Sequence, residues 1–292
     1  MFGALVGDII GSAFEFNNVK SKEFSFFNKT TRFTDDSVLT LAVSNYFLKF
    51  NKSLNRDELI KIIKETSLKY INAGYGPSFL KWLKSDSSSA YNSYGNGAAM
   101  RISPVAYIAK NLNEVIKLSD FITSITHNHE EGIKGARSIA TSIFLLLHGA
   151  SKSEIKNYIE SSYYSLDFDY RELVNNYKFE MSCQKSVPQA IYLFLISTDY
   201  LDALKNAISI GGDSDTISDM VLALSEAYYL NKNNKEGYKI TSSLSSSKKE
   251  EIKKINSKAL TYLSKDLIEI CKVFNKKYAL MIDENYLDYP SK

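Results

Sequence analysis

The stretch Ile133–Leu147, IKGARSIATSIFLLL, places Ile133, Ala136, Ile139, Ala140, Ile143, Phe144 and Leu147 three or four residues apart. That interval matches the 3.6-residue turn of an α-helix, so one face of the segment is apolar and the other is not. The same rhythm recurs at Val38, Leu41, Ala42 and Tyr46, at Leu59, Ile62, Ile63 and Thr66, and at Ile217, Met220, Val221, Leu224 and Tyr228. Helix-start signals agree with it: Asn55 with Glu58 and Ser151 with Glu154 have the three-residue spacing of a capping box. Strand-like alternation is scarce, and the Asn96-Gly97 pair leads into a helix-like segment rather than a hairpin. The sequence therefore predicts an all-α fold.

Working outward, the chain has 292 residues, of which 44% are hydrophobic and 24% charged, ample for one sizeable core. Residues 1–292 are expected to form a single domain, because only 4 prolines interrupt them and no repeat or linker stands out. The net charge of +3 creates no strong field, so neither stable nucleic-acid binding nor a membrane partner is expected. Cys183 and Cys271 are far apart and in no paired motif, and no apolar run is long enough to span a bilayer. A cytoplasmic location and a monomeric state are the expectations. Asn231 to Lys254 reads as a solvated loop leading into a helix, and Cys183 to Ala190 as a helix start with Pro188 near its first turn.

Chemistry gathers in the polar interruptions between helices. Thr34-Asp35-Asp36-Ser37 precedes the Val38 stripe, and Gly211-Gly212-Asp213-Ser214-Asp215-Thr216 precedes the Ile217 stripe. Aspartates at such places commonly cap helices, and capping alone would account for either cluster. Both clusters, however, offer hard oxygen donors without histidine or thiolate, a set suited to magnesium or manganese. Four aspartates and two threonines suffice for two such ions. A third cluster, Ser93-Tyr94-Gly95-Asn96-Gly97-Ala98-Ala99-Met100-Arg101, has glycines that would expose backbone N–H groups where a helix starts near Ala98, an arrangement suited to phosphate.

In this order, the clusters resemble the ADP-ribosylglycohydrolase family. The resemblance opens at Gly3-Ala4-Leu5-Val6-Gly7-Asp8 and Gly11, runs through Phe33–Ser37, Gly74-Tyr75-Gly76 and Gly95–Arg101, and closes at Ile210–Thr216, covering roughly the first 230 residues. Residues 231–292 resemble accessory C-terminal helices without a motif. The resemblance implies a helical fold with a two-magnesium cleft, Thr34, Asp35 and Asp36 on one side and Asp213, Asp215 and Thr216 on the other. It implies that Glu15 is a mobile carboxylate beside the metals, and that Ser93, Tyr94, Gly95, Asn96 and Gly97 face a diphosphate. Gly74 and Tyr75 would lie beside ribose and adenosine, and His127 would line the site. Glu130 stands where related sequences often have proline, which leaves the shape of the His127 loop open. The implied substrate is an ADP-ribosylated protein or another ADP-ribose conjugate, with Glu15, Asp35 or Asp36 moving the proton. Ser93–Asn96 is more similar to the serine- and metabolite-directed branch than to the arginine-directed one. A metal-dependent nucleotide phosphohydrolase and a non-catalytic ADP-ribose-binding protein are the alternatives.

Overall fold

A computed structural model describes residues 1–290. Among the described residues there are fifteen α-helices and no strand beyond the isolated bridges Gly95–Ser182 and Asn231–Ile282. The first seven helices are α1 (Gly3–Gly11), α2 (Asp35–Phe50), α3 (Arg56–Lys69), α4 (Pro77–Leu83), α5 (Ser103–Ile108), α6 (Leu112–Thr123) and α7 (Glu130–Leu147). Next come α8 (Lys152–Ser162), α9 (Tyr170–Asn176), α10 (Cys183–Leu195), α11 (Tyr200–Ser209) and α12 (Ser214–Tyr229). The last three are α13 (Lys235–Ser243), α14 (Ser246–Leu260) and α15 (Lys265–Tyr278).

Helix α12 is the axis of the molecule: every one of its residues is buried, as is every residue of α1. The two lie backbone to backbone. A Cβ at Gly3, Gly7 or Gly11 would stand 2.3, 2.1 and 2.3 Å from the carbonyl oxygens of Leu222, Ser218 and Ser214. Glycine every fourth residue thus makes a groove on α1 that only a bare backbone can share. The glycine numbers rise as their α12 partners fall, so the helices run antiparallel, and the C-terminal end of α1 meets the N-terminal end of α12. Helices α7, α10 and α11 pack on the rest of α12, while α2 leans on α1 and is covered in turn by α15.

The apolar stripes land where the periodicity puts them. Ala136, Ile139, Ala140, Ile143 and Leu147 are buried on α7, and Val38, Leu41, Ala42 and Tyr46 on α2. Ser151 and Glu154 form the full reciprocal capping box at α8, whereas at α3 Asn55 accepts from Glu58 N and caps the helix by that bond. Two expectations require correction. The polar stretch after Asn231 is not a loop: α13 and α14 occupy most of it, capped by Asn234 and Ser245. Its few apolar residues sufficed, since Ile252 is fully buried and Ile240 and Leu244 pack half-buried against the core. Pro188 lies inside α10 rather than in its first turn. The carbonyl whose usual helix partner it removes belongs to Gln184, an exposed residue.

Candidate metal centre and cleft

The antiparallel crossing of α1 and α12 delivers Asp8 to the same place as the Gly211–Thr216 turn, and α2 delivers its first residues there too. Gly211 and Gly212 both have positive φ, +67° and +79°, so the chain turns sharply into α12. Asp213 is the N-cap residue of α12 but makes no capping hydrogen bond, which removes capping as its reason for being there. At α2 the cap is Thr34, whose hydroxyl accepts from Asp36 N, and neither Asp35 nor Asp36 is spent on it.

Two carboxylate triads result, each with its oxygens within 4.8 Å of one another: Asp8, Asp36 and Asp215 inside, and Glu15, Asp213 and Asp215 nearer the rim. Asp215 belongs to both. The inner triad contains one satisfied member and one that is not. Asp8 accepts from Thr34 N at 3.0 Å, Thr34 Oγ1 at 2.6 Å, Ser37 N at 3.1 Å and the Ser37 hydroxyl. Thr34 has a single hydroxyl proton, and at 2.6 Å it goes to Asp8, so Asp36 Oδ2 at 3.2 Å faces an oxygen without a donor between them. Asp36 Oδ1 is buried with no partner at all. An ionised carboxylate in that state is costly unless a cation completes it. The donor set, carboxylates and threonine hydroxyls, fits a hard divalent ion.

Electrostatics agree. Burial first, then the surrounding carboxylates, push Asp35, Asp36 and Asp215 well above the usual carboxylate range. Burial raises Glu15 to about 8, with the Asp215 charge adding to the shift and Arg32, 3.7 Å from its carboxylate, opposing it. Asp213 is raised to about 6 by burial, against the lowering effect of its hydrogen bonds, including the one from Asn96. Asp219, one turn along α12, is buried with both oxygens unpartnered and is likewise raised by burial and by Asp8 and Asp215.

Glu15, Asp35, Asp36, Asp213 and Asp215 line a cavity of about 280 Å³. Of the residues picked out from sequence, Glu15, Thr34, Asp35, Asp36, Gly74, Ser93, Gly95, Asn96, Gly97, His127, Asp213, Asp215 and Thr216 line it. Asp35 enters the cleft from the side of Gly74, whose missing Cβ leaves room for Asp35 Oδ1 at 3.3 Å, and it stands outside both triads. Tyr75 is buried behind the wall, its ring 5.1 Å from that of Phe79. Tyr94 points away, 51% exposed, its ring edge-on to His129. The helix start expected at Ala98 is a single 3-10 turn, Asn96–Ala98. Most of its amides are used: Gly95 N donates to Ser93 Oγ and Asn96 N to Met181 O, leaving the Gly97 N–H. Asn96 instead contributes its side chain, donating to Asp213 Oδ2 at 2.7 Å and tying this wall to the Gly211–Asp213 turn.

Sequence reasoning missed Asp8 as a site residue, although a charge in the apolar run Gly3–Gly11 was its signal. It also missed Asn18. That side chain donates to Phe14 O, Glu15 O and Gly212 O and accepts from Gly212 N, so it binds the Glu15 loop to the Gly211–Gly212 turn.

A family model for ADP-ribosylglycohydrolases matches residues 1–229. The chain belongs to the ADP-ribosylglycohydrolase family. Among its relatives, the mouse ADP-ribosylhydrolase ARH3 is 26% identical over 303 residues, spanning 78% of this chain and 82% of the relative. The chicken ADP-ribosylhydrolase ARH3 is 25% identical over 310 residues, 78% of this chain and 83% of the relative. A solved ADP-ribosylglycohydrolase-related protein complex superposes with a TM-score of 0.63 over 96% of this chain and 97% of that one, at 17% identity, which establishes the ADP-ribosylglycohydrolase fold. The family match ends at Tyr229, the last residue of α12, so it contains every carboxylate of the site.

Proposed function

We propose that this chain hydrolyses the glycosidic bond between ADP-ribose and an acceptor, a protein side chain or a small molecule, in a magnesium-dependent reaction. The observation that carries the reading is the pair of triads sharing Asp215 at the floor of a cleft, in a chain of this family. Asp36, Asp213 and Asp215, with Thr34, Thr216 and Asp35 beside them, would hold two divalent ions, magnesium or manganese. Bound there, such ions supply Lewis acidity and the positive charge the carboxylates lack. Asp8 does not compete for them: its hydrogen bonds from Thr34 and Ser37 fix the first turn of α2, and so fix where Asp36 points.

The bond broken lies at an anomeric carbon, and its transition state has oxocarbenium character. Glu15 lies on a loop at the rim of the cleft, its carboxylate within 4.8 Å of those of Asp213 and Asp215, and is placed to exchange a proton with a bound ligand. It would give a proton to the leaving group or take one from the attacking water. The wall of Ser93, Gly95, Asn96, Gly97 and His127 would hold the diphosphate, turning binding energy into orientation of the ribose.

The test is release of ADP-ribose from arginine-, serine- and acetyl-linked conjugates, each with magnesium, with chelator and with Asp35→Ala. Metal-dependent release of intact ADP-ribose, lost in the variant while its melting temperature holds, is the expected result. AMP as the product, from cleavage of the diphosphate, would assign a phosphohydrolase instead, and unchanged turnover in Asp35→Ala would remove Asp35 from the centre.

A further inference from the structure

Arg101 ends the Gly95–Arg101 motif, yet it does not line the cleft. It is fully buried, its Nε and Nη1 have no partner, and among the described residues no carboxylate pairs with it. Its one short hydrogen bond runs from Nη2 to Thr126 Oγ1, 2.7 Å. Thr126 Oγ1 in turn lies 2.8 Å from His127 Nδ1, and Arg101 Nη2 lies 3.4 Å from the same nitrogen. The Arg101 side of this chain has one direction, because a guanidinium can only donate. An Nδ1–H would set two donors 3.4 Å apart, both turned on the single Thr126 oxygen. With Nδ1 as the acceptor that clash is gone: Thr126 accepts from Arg101 and gives its own proton to His127, which leaves the imidazole proton on Nε2. On the far side of the ring, Nε2 lies 3.3 Å from where a Gly97 Cβ would be and 3.6 Å from the corresponding point at Gly95. It therefore sits against the cavity wall beside the Gly97 amide.

We infer that Arg101 and Thr126 are positioning residues that hold His127 as the Nε2–H tautomer, so that the ring presents a donor to the anionic part of the ligand. The ligand chemistry rests on the function proposed above; the tautomer does not. Two further facts support it. Burial, and then the Arg101 charge, hold His127 well below its ordinary value, so the ring is neutral and can present a donor on only one face. The buried guanidinium also places a positive charge one layer behind the wall, where low polarisability lets it act on an anion in the cleft. That gives a purpose to a buried charge without a counter-ion in contact, which is otherwise expensive.

The chain has three histidines, so nitrogen-15 correlation spectra of the ring nitrogens are simple, and His127→Gln identifies the signal of interest. The expected result is an Nε2–H ring in the wild type and in Thr126→Ser, and a tautomer mixture in Thr126→Val. ADP-ribose affinity by calorimetry should fall about tenfold in Thr126→Val, the worth of one hydrogen bond to a charged group, and be restored in Thr126→Ser. An Nδ1–H ring in the wild type overturns the inference, as does a Thr126→Val protein with unchanged tautomer and affinity. Should Thr126→Val fail to fold, the wild-type spectrum decides alone. A wild type that does not bind ADP-ribose counts against the proposed function, and the spectrum still decides the tautomer.

Discussion

At the scale of single residues, Asp215 is the member on which both triads depend. Its replacement separates two effects that usually travel together. In the metal-free protein it stands among carboxylates whose protonation equilibria are all displaced upward, so its charge is a cost to the fold. Asparagine keeps the shape and can still accept from Thr216 N, which bonds Asp215 Oδ1 at 3.0 Å. Asp215→Asn should therefore melt no lower than the wild type in chelator, while losing the rise in melting temperature that magnesium or manganese gives. For the wild type that rise corresponds to about 2.7 kcal/mol when free metal is about a hundredfold above Kd. Differential scanning fluorimetry with and without metal reads both quantities, and a variant that keeps the full metal response would show that Asp215 is not shared. The aspartates themselves were legible in the sequence because their residue types and order carry chemistry whatever the fold. Asp8 was not, since a lone carboxylate in an apolar helix acquires its meaning only from the helices that surround it. Tyr94 shows the converse: it adjoins Ser93 and Gly95 in sequence, yet its ring faces away from the cleft that they line.

At the scale of elements, the apolar stripes of α2, α7 and α12 could be read directly, because amphipathic periodicity is a local property. The α1–α12 contact could not, because it consists of side chains that are absent. Gly7 is its tightest point, where an added Cβ would stand 2.1 Å from Ser218 O, a backbone atom that no rotamer change can move. Gly7→Ala should cost about 3 kcal/mol or more, at the upper end of overpacking penalties, because two helices must separate to admit one methyl group. Since Asp8 follows Gly7, the same displacement should weaken metal binding. Gly76→Ala is the matched control: its φ is −60° and a Cβ there meets nothing within 4 Å, so its stability should stay within about 0.5 kcal/mol of the wild type. Urea unfolding midpoints compare the two, and a Gly7→Ala midpoint equal to that of the wild type would mean that the helices have slack. The segment after Asn231 was misread for a related reason. Its composition is polar, and the caps Asn234 and Ser245 were the signals to weigh against it.

At the scale of the whole molecule, α15 covers α2, and α14 packs on α1, so the residues beyond the family match support the two helices that carry Asp8 and Asp36. Stability and the site are therefore linked through one fold, and pH exposes the link. Glu15 is raised to about 8 and Asp213 to about 6, whereas an unfolded chain would release those protons near pH 4. The folded metal-free protein thus binds protons that the unfolded chain has lost. The stability this confers is complete below the unfolded values and disappears as pH rises through the folded ones. Asp35, Asp36, Asp215 and Asp219, all raised well above the usual range, act in the same direction. The opposing shifts lie toward the edges of the window from pH 6.5 to 8: His127, held low, acts mainly below it, and Lys152, lowered by burial to about 8, acts from its upper edge upward. Metal-free protein should accordingly lose stability from pH 6.5 to 8. Saturating magnesium or manganese, which requires ionised carboxylates, should give its larger increment at pH 8. Glu15→Gln removes a group that titrates inside this window and should flatten the metal-free slope. Urea midpoints at the two pH values, in chelator and in metal, measure all of this. A metal-free stability that holds level or rises toward pH 8 would mean that the carboxylates are not forced together, and the case for a cation between them would fall with it.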